Sequence, residues 1–301
     1  MNLRQLEYLI AIAEDGSFRA AAHRLHVAAP SISQQIRLLE LEVGGPLLER
    51  LPRGARLTSA GRAFLPEARS ALLAAQRAQR AGRAALALEL AEIEIATVLS
   101  LAVGLLPAAI QRMTEAHPGM SVRLHEFPHR EVLEDALDAG IADVAIGPMP
   151  QPSRHGPAVF LGYESFVVIV GRRHRAFASP APIRLDSLAN DGWILFPVTH
   201  GLHGVVVAIC ASAGFAPRDA VRTAQVEAAA RLAAAGVGVA IVPANIVPSD
   251  LAEHVRVTDP PIFRKLGAYT RVEFSPQADA LIAALRASTW VEPPPGAFIL
   301  Q

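Results

Sequence analysis

Cysteine occurs once in the 301 residues, as Cys210, so no internal disulfide can form. Its place in the apolar helical run 205–213 marks a buried thiol rather than a nucleophile. No apolar run is long enough to cross a bilayer, and 166–170 is typical of the longest. The opening Met1-Asn-Leu-Arg-Gln-Leu-Glu7 carries an acid and polar groups where a signal peptide needs an apolar core, which points to the cytoplasm. Lysine is nearly absent: Lys265 is the only one, and arginine supplies the rest of the 28 basic charges. Catalytic signatures are missing as well. There is no Gly-x-Ser-x-Gly and no glycine-rich phosphate loop opening a helix. Gly236-Val-Gly238 begins a strand and so is no dinucleotide fingerprint. His200 and His203 stand close enough to share a metal, but no carboxylate or thiol partner lies near them. Neither an enzyme, nor a cofactor, nor a metal site is indicated.

What is present suits a globular chain with room for two or three domains, since 51% of residues are apolar and 19% charged. The formal net charge is zero but uneven. Residues 1–88 hold 12 arginines against 7 acids, and the remainder holds 16 basic residues against 21 acids. A basic amino-terminal third joined to a mildly acidic remainder fits a DNA-binding part attached to a part that does not touch DNA.

The most informative stretch is 17–56. Ser17 is a good helix N-cap. Phe18, Ala21, Ala22 and Leu25 follow at helical spacing, and Ala22 is small enough for a second helix to approach closely. After a break at 26–29, Pro30 suits the first turn of the next helix. There Ile32, Ile36 and Leu39 form the inner stripe. The opposite face offers Ser31, Ser33, Gln34 and Arg37, with no carboxylate before Glu40, and can meet base edges and phosphates in a major groove. Leu3, Leu6, Ile10 and Ala13 make a bracing first helix. Gly44-Gly45-Pro46 ends the recognition helix. Residues 47–58 then read as a two-stranded wing turning at Pro52-Arg53-Gly54, with Arg50, Arg53 and Arg56 able to reach phosphates or a minor groove. A plain three-helix bundle with a solvated hairpin is the alternative.

At these residues the chain resembles the LysR-type transcriptional regulators. The matching pieces are Leu3-Arg-Gln-Leu6, Ala13-Glu-Asp-Gly-Ser-Phe18, Ala21-Ala22, Leu25, Pro30, Ser33, Gln35-Ile36, Leu39-Glu40 and Leu57-Thr58-x-Ala60-Gly61. The chain departs from the family at Ala28-Ala29, where Ser-Gln is usual, and at Gln34, where a basic residue is common. Ala28 cannot cap, which costs on the order of 1 kcal/mol of helix stability. Ala29 cannot hydrogen-bond a base.

Thr58 can cap a long helix reaching about residue 90. Leu65, Ala68, Leu72, Ala75, Gln79, Gly82 and Leu86 form a heptad-like seam, and Pro66 is expected to bend the helix near its start. The seam suits dimerisation, with Leu65, Ala68, Leu72 and Ala75 at its centre; packing on its own domain is the alternative. From residue 91 strands alternate with helices, as in an α/β domain. Strands are expected at 93–97, 122–127, 143–147, 165–170, 193–196, 220–223, 237–242 and 265–272. Helices are expected at 100–116, 130–139, 204–213, 226–235 and 277–288, before a stiff, mobile tail at 292–296.

The resemblance continues through Leu105-Leu106-Pro107, His117-Pro118, Gly140-x-x-Asp143-Val-Ala-Ile146, Gly214-Phe215-x-Pro217 and 234–243. It implies an α+β multidomain protein: a winged helix-turn-helix (1–58), a linker and dimerisation helix (59–90) and a type II periplasmic-binding-protein-like effector domain (91–301). The two lobes of that domain would cover about 91–163 with 269–301, and 164–268. Ser100 opens a helix at the carboxyl edge of the sheet, where it either caps the helix or binds an anion. The family often has a Ser or Thr contacting its effector there. The resemblance also places His129, and Thr199, His200 and His203 in the loop after 193–196, at the same cleft. The implied protein is a dimer or tetramer on promoter DNA, Gln35 included in the contact, whose binding is modulated by a small molecule such as an organic anion. A solute-binding or architectural protein on the same fold is the alternative; it leaves residues 1–58, or the cleft, without a role.

Overall fold

The computed structural model describes residues 1–51, 54–85, 92–151 and 156–300, and these form two compact bodies, the first made mostly of residues before 86 and the second mostly of residues after 91. In the first, α1 (Leu3–Asp15) starts from a reciprocal capping box. The Asn2 side chain accepts the Gln5 amide at 3.0 Å, and the Asn2 amide donates to the Gln5 side chain at 2.8 Å. Ser17 caps α2 (Phe18–Arg24) as expected, its hydroxyl accepting the Ala20 amide at 3.1 Å. The turn into α3 (Ala29–Val43) passes through His26 at φ 54°, a left-handed position that His tolerates better than most side chains. Ile32, Ile36 and Leu39 of α3 are fully buried against Leu9 and Ile12 of α1 and Ala21 of α2. The wing is β1 (Leu48–Leu51) and β2 (Gly54–Leu57), paired antiparallel with Leu48 opposite Leu57. Glu40 fastens it to α3 by accepting the amides of Leu47 at 2.9 Å and Leu48 at 3.0 Å.

Thr58 accepts the Gly61 amide at 3.0 Å and starts α4 (Ser59–Ala85), which runs on through Pro66. Gly61 is required by close approach: a Cβ there would lie 2.0 Å from the Leu47 carbonyl oxygen. α4 packs on α1, with Ala68 only 2% exposed in the core of this body and Arg69 paired to Glu14 at 2.8 Å.

The second body begins with β3 (Glu92–Val98), α5 (Leu99–Gly104), α6 (Leu106–Ala116), β4 (Ser121–Phe127), α7 (Arg130–Asp138) and β5 (Val144–Pro148). β6 (Ala158–Ile169), β7 (Ile183–Arg184), β8 (Gly192–Leu195), α8 (Gly201–Ser212), β9 (Arg218–Arg222), α9 (Val226–Ala234) and β10 (Ala240–Pro243) follow. The chain closes with β11 (Val255–Arg256), β12 (Thr258–Asp259), β13 (Ile262–Tyr269), α10 (Pro276–Arg286) and β14 (Phe298–Leu300). β3 pairs in parallel with β4 and β5, and the sheet order is β10-β6-β13-β5-β3-β4. The described residues of this body form two hydrophobic cores, one around Ile95, Met113 and Leu281, the other around Phe166, Trp193 and Ile241. The long antiparallel strands β6 and β13 serve both: Leu161 and Leu266 lie in the first, Phe166 and Ile262 in the second. Cys210 is fully buried in the second, where burial pushes its thiol up to about 12.

Three expectations need correction here. The helix at 100–116 is two helices, α5 and α6, broken at Leu105. Pro107 has no N–H for the Val103 carbonyl four residues back, and its ring crowds that carbonyl, so the first helix cannot run through it. α8 starts at Gly201, because the His200 ring caps it. The end of the tail adds β14 in parallel to β13, and Leu300 joins the second core, so residues 298–300 belong with the second lobe rather than the first.

Candidate DNA interface and ligand cleft

On the outer face of α3, Ser31, Gln34 and Arg37 are exposed, while Ser33 and Gln35 are half-buried. Ala28 holds the N-cap position without a side-chain bond, as its methyl group dictates. Arg50 of the wing donates to the Ser33 hydroxyl at 2.7 Å and lies 4.5 Å from the Phe18 ring centre, so wing and recognition helix share one surface. Arg56 is exposed and paired with Glu49 at 2.7 Å. Arg53 lies outside the described residues. On the seam of α4, Leu65, Leu72 and Ala75 are half-buried, and Leu86 lies outside the described residues. Ala68 differs from the expectation, since it is used up in the core of its own body.

The second body contains a cleft of about 360 Å³ lined by Val98, Ser100, Pro128, His129, Arg130, Val198, His200, Val205 and Arg264, among others. The structure thus brings Ser100, His129 and His200 together. Thr199 and His203 do not line this cleft: Thr199 points to solvent, and the His203 Nδ1 is 2.9 Å from the Phe196 carbonyl oxygen. Ser100 does not cap, because Val98 occupies the N-cap of α5. Nor does α8 offer free amides at its start. Gly201 donates to the Pro128 carbonyl at 2.7 Å, Leu202 to His200 Nδ1 at 3.1 Å, and His203 to the His200 carbonyl at 2.9 Å.

That arrangement defines the His200 tautomer. Nδ1 accepts a backbone N–H, so the proton of the neutral ring is on Nε2. Burial holds the His200 pKa below its ordinary value and keeps the ring neutral. Its Nε2 is buried without a hydrogen-bond partner, and the residue is only 6% exposed. The cations on the wall are balanced by carboxylates. Arg264 donates to Glu164 at 2.5 and 3.1 Å, both residues being buried, and Arg130 is 3.6 Å from Glu131 and Glu134. His129 Nδ1 is 3.0 Å from Glu131. Burial raises the Glu131 carboxyl, but its own backbone amide, Arg130 and His129 outweigh that and hold it below the usual range.

Residues 3–62 match the family profile described as "Bacterial regulatory helix-turn-helix protein, lysR family", and residues 87–290 match "LysR substrate binding domain". The chain is a LysR-type transcriptional regulator. It is 34% identical to the HTH-type transcriptional regulator ClcR of Pseudomonas putida over 82% of this chain and 84% of that one. With IlvR of Caulobacter vibrioides it shares 30% identity over 94% and 96% of the two chains. Among solved structures, full-length CbnR in complex with its target DNA is similar at 28% identity, covering 95% of this chain and 99% of that one with a TM-score of 0.73. Full-length OxyR of Pseudomonas aeruginosa is similar at 25% identity, covering 96% and 99% with a TM-score of 0.72.

As a LysR-type regulator the protein joins a DNA-binding helix-turn-helix to an effector-binding domain, and its work is regulatory rather than enzymatic. Among the described residues no helix is long and apolar enough to cross a membrane, and no group of three or more His, Cys, Asp or Glu is placed to hold a metal ion. Sequence reasoning missed Arg130 and Arg264 on the cleft wall, and Glu40 and Gln5 behind the DNA face. Only Arg264 left a trace, since it and Lys265 are the two charges in the strand 262–269.

Proposed function

We propose that this regulator is a cytoplasmic dimer or tetramer on an interrupted palindrome in promoter DNA. Ser31, Ser33, Gln34 and Arg37 of α3 lie in the major groove, with Gln35 and the wing arginines Arg50, Arg53 and Arg56 on the flanking backbone. The half-exposed Leu65, Leu72 and Ala75 of α4 pair the chains. Lobes of about 91–163 with 269–297, and 164–268 with 298–300, enclose the effector. The DNA complex of the related CbnR supports the DNA half of this reading.

Ser100, His129 and His200 bind the effector together with Arg130 and Arg264. The observation that carries this is the buried, unpartnered Nε2–H of His200 on the cleft wall. An unpaired donor at such a site is costly, and an acceptor oxygen from a ligand removes the cost. A small organic anion with an apolar body suits one donor, one hydroxyl and the side chains of Val98, Val198 and Val205. The effector acts only through different affinities for two arrangements of the protein on DNA. A thermal-shift screen of small carboxylates tests this. A ligand at 100 times its Kd should stabilise the protein by about 2.7 kcal/mol. His200→Asn, whose side chain still caps α8 but is too short to donate, should abolish the shift. A carboxylate that stabilises both proteins equally would place its site elsewhere.

A further inference from the structure

Beside the recognition helix is a surface depression of about 550 Å³, lined by Asn2, Arg4, Tyr8, Val27, Ala28, Ser31 and Gln35, and no carboxylate is among them. The Arg4 guanidinium lies over the Tyr8 ring, 5.8 Å from its centre. Behind it Gln5, only 3% exposed, links two bonds of defined direction. The Asn2 backbone N–H donates to Gln5 Oε1 at 2.8 Å. A backbone amide can only donate, so this bond fixes which end of the Gln5 amide is oxygen. Its NH₂ group must then be the end that donates to Gln35 Oε1, at 3.2 Å. The direction passes on: Gln35 has its oxygen turned inward, and its NH₂ group is the end left for an outside partner.

We propose that Gln5 is a positioning residue for DNA binding: through the α1 capping box it fixes the Gln35 amide so that its NH₂ donates to a backbone phosphate seated in this depression beside Arg4. A phosphate oxygen only accepts, so a Gln35 amide turned the other way would present oxygen to oxygen. Without Gln5 the two orientations would compete. The proposal rests on the reading that α3 lies against DNA.

The decisive variant is Gln5→Glu. Its carboxylate still accepts the Asn2 amide, so the cap survives, but it can only accept from Gln35, which must turn its oxygen outward. Binding should be measured by salt titration on a duplex selected from a random pool and on an unrelated duplex of equal length. Losing one donor to a charged partner should weaken both by about tenfold. The added charge also repels DNA directly, so the same substitution is made in a Gln35→Ala background. There the loss should shrink to the Coulombic part, which salt screens. The neutral Gln5→Met should likewise weaken binding in the parent protein and have no further effect once Gln35 is alanine. Equal losses in both backgrounds, or parent-like binding by Gln5→Met, would overturn the relay. A changed selected motif in Gln5→Met would assign Gln35 to a base and remove the phosphate. If Gln34→Ala and Gln35→Ala both leave binding intact, α3 is not the DNA face, and the underlying reading falls with the proposal.

Discussion

The His200 imidazole, on the wall of the cleft, stacks on the Phe196 ring behind it, with centroids 4.8 Å apart and 21° between the planes. Burial holds the His200 pKa below its ordinary value. The unfolded chain, with a pKa near about 6.5, therefore binds the proton more tightly than the folded one. Its contribution to stability is complete above that value and is lost as pH falls through it towards the depressed folded pKa. Denaturant titrations of the wild type should show stability falling between about pH 7 and 5. His200→Asn should flatten part of that slope. Identical slopes for the two proteins would mean that other histidines carry the dependence.

The buried pair Glu164–Arg264 gives a second test. Glu164→Gln leaves the Arg264 charge uncompensated on the cleft wall, at a cost of about 3 kcal/mol of stability. The same change makes the cleft more positive, so binding of organic anions should tighten while folding weakens. A variant that loses stability without gaining anion affinity would show that Arg264 does not face the ligand.

Leu72 tests the seam. Leu72→Arg would bury an unpaired charge between two chains, which costs several kcal/mol, on the order of 3. Sedimentation should then show smaller species and weak DNA binding. A folded variant of unchanged mass would mean that α4 packs only on α1, as Ala68 already does.

The missing cap on α3 can be restored. Ala28→Ser should supply a hydroxyl to the first turn and raise the stability of the DNA-binding body by about 1 kcal/mol. Thermal unfolding of a 1–85 fragment, or of the whole chain with a reporter on Tyr8, would measure it. No gain would show that the Ser31 amide, which donates to the Ala28 carbonyl at 3.0 Å, does not turn to a serine hydroxyl.

The amino-terminal body was legible because its signals are local. Ser17 and Thr58 announce their caps, the Ile32, Ile36 and Leu39 stripe has helical spacing, and the wing is a short hairpin. The cleft was legible only in part. Ser100 and His129 follow strands, and a strand end is a local feature, whereas Arg264 reaches the cleft through a strand 100 residues after its partner Glu164. No spacing rule links those two positions. The break at Leu105 and the start of α8 at Gly201 were missed for a related reason. One follows from Pro107, which starts a helix more readily than it continues one, and the other from a histidine ring acting as a cap. The tail read as mobile because prolines dominate 292–296, but the apolar Phe298 to Leu300 that follows finds an open strand edge.

Gln34 is the residue that tests specificity. Ala29 offers at most a methyl contact to thymine, and Ser33 already holds Arg50 at 2.7 Å. Base reading then falls to Gln34, Ser31 and Arg37, all exposed on α3. A glutamine can make paired hydrogen bonds to adenine, worth about 1–3 kcal/mol against the wrong base. Gln34→Ala should therefore relax the preference at one base pair of each half-site while non-specific affinity is kept. Arg53→Ala should do the reverse: it weakens every duplex and lowers the salt slope by roughly one ion. Selection from a random pool, run beside a salt titration, separates the two effects. A selected motif that survives Gln34→Ala unchanged would mean that another face of α3 lies in the groove.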